Sequence, residues 1–102
     1  MTENYPKPYR NVLSGELQGS ASALRLPDIP CSMVCFKALA DNAGGVYLGG
    51  SGVTVHDGTT DTTTGFVLEA GDVSPWMPVR NLNQLYRICD NAGDDLTYMA
   101  LK

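Results

Sequence analysis

Long apolar runs are missing from this 102-residue chain. No stretch approaches the roughly 20 residues that a membrane-spanning helix needs, and the opening MTENYPKPYR lacks the apolar centre of a secretory leader. Synthesis and folding in the cytoplasm are therefore expected. Basic residues are few, 7 against 11 acidic, giving a net charge of −4. From residue 41 onward only Arg80, Arg87 and Lys102 oppose eight carboxylates, which argues against binding to nucleic acid. Cysteine is scarce and odd in number: Cys31, Cys35 and Cys89 cannot all pair within one molecule, so reduced thiols are expected. There is a single histidine. Helical periodicity is also scarce, and with it the helical fold classes.

What remains is a series of short apolar segments separated by Gly, Asn, Asp and Pro, the pattern of antiparallel β structure. The segments Ala21–Leu26, Cys31–Ala40, Gly45–Leu48, Gly65–Glu69, Val73–Val79, Gln84–Cys89 and Asp95–Leu101 are the expected strands. The fold class is all-β: a small antiparallel β-sandwich or jelly-roll-like barrel, with residues 20–102 as its one domain. Residues 1–19, with Pro6, Pro8, Gly15 and Gly19 among polar neighbours, read as an extended N-terminal arm. The phrase Asp-Asn-Ala-Gly occurs at 41–44 and again at 90–93, each time ahead of a Tyr-containing segment. Asp and Asn bond their own backbone and Gly tolerates tight reversals, so each copy predicts a hairpin. The stretch 49–64, rich in Gly and Thr, reads as a long exposed loop.

Chemistry is thinly represented. His56 stands beside Asp57 in the loop, without a Gly-x-Ser-x-Gly elbow or a papain-like cysteine to serve. Asp57 and Asp61, and the group Asp90, Asp94 and Asp95, lack the spacing and distal glutamate of a helical calcium loop and read as solvated turns. The three cysteines fall short of a zinc site in spacing and number, and read as sheet core. Gly49-Gly50-Ser51-Gly52 leads into an extended Val53-Thr54-Val55 and carries no Lys-Ser/Thr, unlike a phosphate loop. No catalytic residue, metal or cofactor is expected.

Contact residues are better represented. Trp76 and Met77 lie between Pro75 and Pro78, which confines their strand to a sheet edge, either as a contact surface or packed into the core. Tyr5, Tyr9, Arg10 and Val12 sit on the expected arm, where aromatic side chains gain by docking on a neighbour.

From Val34 onward the order of phrases is distinctive: Lys37-Ala38-Leu39-Ala40-Asp41-Asn42-Ala43-Gly44-Gly45-Val46-Tyr47-Leu48-Gly49-Gly50-Ser51-Gly52-Val53-Thr54, then Gly65-Phe66-Val67-Leu68-Glu69-Ala70-Gly71-Asp72, then Asn81-Leu82-Asn83-Gln84-Leu85-Tyr86 and a closing strand to Leu101. This order resembles small β-sandwich structural proteins of tailed bacteriophage virions. The resemblance implies a capsid decoration, or cement, protein or another head or tail accessory. It would bind the major capsid protein, lack catalytic activity, be made in the host cytoplasm and reside on the capsid surface. A homotrimer on the capsid is the expected arrangement, since lattice symmetry multiplies weak contacts. Neither the arm nor Trp76 has a clear counterpart in the pattern. The alternative is a tail, baseplate or fibre-associated module that binds a tail protein or a host glycan.

Overall fold

A computed structural model describes residues 11–102. Tyr5, Tyr9 and Arg10, together with the first ten residues of the expected arm, lie outside the described residues. The described strands are β1 (Val12–Leu17), β2 (Leu24–Arg25), β3 (Met33–Ala38), β4 (Val46–Gly49), β5 (Phe66–Leu68), β6 (Tyr86–Cys89) and β7 (Leu96–Leu101). They form two antiparallel sheets, one ordered β1-β7-β3 and the other β2-β6-β4-β5. The all-β sandwich expected from the sequence is the fold observed.

β1 departs from the reading of residues 1–19 as an arm. Residues 12–17 pair with β7 along their whole length, from Val12 opposite Leu101 to Leu17 opposite Leu96. Leu13 and Leu17 pack against the core, while Val12, Ser14 and Glu16 face outward. Gly15 belongs to the packing: a Cβ there would lie 3.0 Å from the Tyr98 ring.

The two sheets are one ribbon folded over. β1 continues into β2, β6 into β7 and β3 into β4, each passing from one sheet to the other, and neighbours in one sheet remain neighbours in the second. A fourth run does the same in less regular form. β5 borders β4, and residues 73–77 then border β3 through bridges of Val73 to Lys37 and Met77 to Val34. These residues replace the strand expected at Val73–Val79. Three steps along β3 face four along this segment, so it holds a one-residue bulge at Pro75 and Trp76. Ser74 repairs the ladder: its N–H donates to Phe36 O, and its Oγ accepts the Phe36 N–H at 2.8 Å.

The repeated Asp-Asn-Ala-Gly phrase therefore makes no hairpin. Both copies lie on the crease, side by side, because β3 pairs with β7 while β4 pairs with β6. Asp94 locks them together. Its Oδ1 accepts the N–H groups of Ala43 and Gly44, and its Oδ2 accepts those of the Asn91 backbone and side chain. Asn42 and Asp95 exchange two further bonds, side chain to backbone in both directions. The β1–β2 crossing joins at Gly19, whose N–H donates to Asp95 Oδ1 at 2.9 Å. On the fourth run, Gly71 N–H donates to Ala38 O and Ala38 N–H to Asp72 O.

Between the folded halves lies the core, including Val34, Phe36, Ala38, Val46, Leu48, Leu68, Leu82, Cys89, Leu96 and Ala100. Full burial of a side chain such as Phe36 is worth roughly 1.5–3 kcal/mol. The open end is closed by residues 26–32 packed on 78–85, where a 3₁₀ turn at Leu82–Gln84 is held by a reciprocal Asn81 and Gln84 cap.

Candidate interaction surface

Strand alternation gives the three-stranded sheet a second, outward face, and the register fixes its rows. Val12, Leu101 and Met33 form one row across β1, β7 and β3; Ser14, Met99 and Cys35 form the next; Glu16, Thr97 and Lys37 form the third. The bulged segment extends this face with Val73 beside Lys37. Trp76 also belongs to it, because the residue before core-packed Met77 points the opposite way. Val12 is 65 % exposed, Val73 61 %, Met99 45 % and Trp76 42 %. A shallow groove of about 490 Å³ runs over Gly15, Cys35, Val73, Thr97 and Met99. Adjacent exposed apolar side chains of this kind mark contact surfaces more often than do scattered ones.

The sequence placed Val12 and Trp76 among contact residues for separate reasons, and the fold sets them on opposite margins of one face. Met77, expected beside Trp76, is half-buried against the core and exchanges two backbone hydrogen bonds with Val34. It supports the margin from below. Met99, Val73 and Cys35 were missed as surface residues. Period-two alternation in Asp95–Leu101 could have singled out Met99 but could not say which face was covered.

The cysteines separate for a physical reason. Cys31 and Cys89 are buried, whereas Cys35 is half-exposed on the outward face. Cys31 precedes the regular strand, so it escapes the alternation that puts Met33 and Cys35 on one side; its thiol donates to Val79 O. Burial pushes the Cys31 and Cys89 thiols upward. It also raises Cys35, against the opposing effect of a backbone bond from Met99.

Asp94, Asp57 and Asp61, which the sequence assigns to solvated turns rather than to a calcium loop, are engaged in backbone geometry. Burial pushes Asp94 upward, but N–H donors from Gly44, Asn91 and Ala43 outweigh it and hold the pKa below the ordinary aspartate range. Asp57 and Asp61 each accept the backbone N–H and hydroxyl of the threonine two residues on, Thr59 and Thr63. Among the described residues no group of three or more His, Cys, Asp or Glu is placed to hold a metal. His56 lies exposed in the loop. Tyr47, buried on the other sheet, has a backbone hydrogen bond with His56, which ties that loop down.

A second concavity, of about 280 Å³, lies between the loop and β5, lined by Gly49, Gly52, Thr62, Thr64 and Phe66, with Phe66 57 % exposed. The chain matches no protein-family model, no curated protein and no solved structure.

Proposed function

We propose that this chain is a non-enzymatic virion structural protein: a capsid decoration protein that binds the major capsid protein and stabilises the assembled head. The observation that carries the reading is the exposed apolar face bounded by Val12 and Trp76 on a sandwich whose inner faces are already filled. An adhesive module needs a rigid plate with one unsatisfied side, and small copies repeated at lattice positions, three to a local three-fold, multiply a modest contact into useful stabilisation. The phrase order from Lys37 to Asp72 and the closing strand supply the virion context by resemblance.

The test is co-sedimentation of purified protein with expanded and unexpanded capsids that lack it. Saturation at copy numbers comparable with capsid subunits, and loss of binding in Trp76→Ala, are expected. No binding to either shell overturns the reading. The tail or fibre alternative rests on Phe66 beside the threonines of the second concavity, an arrangement suited to stacking on a sugar. Binding to tail proteins or glycans that Phe66→Ala abolishes would favour it.

A further inference from the structure

The outward face of the β1-β7-β3 sheet is self-complementary, and the complementarity lies in its charges. Its end row carries Glu16 on one outer strand, Thr97 in the middle and Lys37 on the other outer strand. The two charges are two strand spacings apart, roughly 10 Å, too far for close pairing across the sheet. A second copy, turned by 180° about an axis lying along β7 in the plane of contact, places its β7 over the first β7 and its β1 over the first β3. Rows stay in step under that rotation. Glu16 of each copy then stands over Lys37 of the other, twice per pair. Met99 and Leu101 meet their own equivalents on the axis, and Val12 meets Met33. Aligned face-to-face packing is the ordinary mode for two β-sheets.

We infer that the free protein forms a two-fold homodimer through this face, registered by reciprocal Glu16–Lys37 pairs. The inference stands independently of the virion reading. The three strands that overlap under this rotation, about 4.8 Å apart and six residues long, give a footprint of roughly 15 by 20 Å. Two such footprints fall short of the ~1,000 Å² of a stable interface, so the dimer is weak and concentration-dependent. Capsid binding through the same face would draw on the dissociated form.

The experiment is sedimentation equilibrium of the full chain without capsids, from low micromolar to near-millimolar concentration. A reversible rise from monomer to dimer is expected. Glu16→Lys sets lysines against lysines and Lys37→Glu sets glutamates against glutamates, so each weakens association by about tenfold or more. The double reversal restores it. Met99→Glu, which brings two carboxylates together on the axis, abolishes the dimer while its urea midpoint reports that the fold is kept. Monomer at every concentration overturns the inference, as when the chain's own first ten residues cover the face. A dimer indifferent to the single reversals, or a double variant no better than the singles, overturns it as well. Capsid co-sedimentation is scored separately, so failure of one proposal leaves the other intact.

Discussion

Asp94 Oδ1 accepts the backbone N–H of Gly44 at 3.1 Å across 50 residues of chain, while Ala43 donates to the same oxygen at 2.9 Å. A buried carboxylate thus holds the two copies of the repeated phrase in register on the crease. Replacement by asparagine leaves one oxygen acceptor and turns an amide toward N–H donors. Asp94→Asn should cost about 2–3 kcal/mol, read as a lower urea midpoint at pH 7.

The same carboxylate makes stability depend on acid. Folded Asp94 binds its proton less readily than the unfolded residue, so unfolding takes up a proton once the pH falls below the ordinary aspartate value. Its contribution is complete above about pH 4 and declines as the pH drops toward the lowered folded pKa. The urea midpoint of the parent protein should fall between pH 5 and pH 3 by more than that of Asp94→Asn; equal falls would mean that other groups carry the acid sensitivity.

Gly19 at the crease is required by contact, whereas Gly50 in the loop is not. A Cβ on Gly19 would overlap the Asp94 carbonyl oxygen, while one on Gly50 meets nothing within 4 Å. Gly19→Ala should destabilise by about 1–3 kcal/mol, through displacement of backbone that has nowhere to go. Gly50→Ala should be neutral or slightly stabilising, by at most ~1 kcal/mol, because it restricts the unfolded chain. Thermal melts of the two variants make the comparison.

Trp76 and Phe36 test what surface and core each contribute. Phe36 is 1 % exposed and Trp76 42 %. Phe36→Ala should cost about 3–5 kcal/mol in chemical denaturation. Trp76→Ala should cost roughly 1–2 kcal/mol, in proportion to the part of the ring that is covered. A loss at Trp76 as large as that at Phe36 would place the indole in the core and remove it from the proposed contact face.

Thiol labelling offers an independent check on the outward face. In the folded protein Cys35 should react first with a disulfide reagent, and Cys31 and Cys89 only after denaturant is added. Simultaneous labelling of all three would contradict the described burial.

The sequence makes the sandwich legible because apolar segments such as Val46-Tyr47-Leu48 and Tyr86–Cys89 are short and bounded by turn residues. It hides β1, whose Val-Leu-Ser-Gly-Glu-Leu carries too few core residues to announce a strand. Leu13 and Leu17 count only once Tyr98 and β7 are beside them. The Asp-Asn-Ala-Gly phrase misleads for the opposite reason. Its local chemistry predicts a reversal, whereas the crossing of the first copy to the next sheet is braced by Asp94, 50 residues away from Gly44. The contact face lies between these cases. Val12 and Trp76 carry local signals, but their shared surface exists only through the β1-β7-β3 pairing.

The crease has a mechanical consequence. Each run of chain crosses from one layer to the other, so neither layer can be peeled away while its partner stays in place; strain at β5 is handed through Gly71 to residues 73–77 and on to β3. Amide protons in the two layers should therefore become exposed in one concerted event, with the fully buried Val34 and Ala38, whose N–H groups are bonded to Met77 O and Asp72 O, among the slowest to exchange.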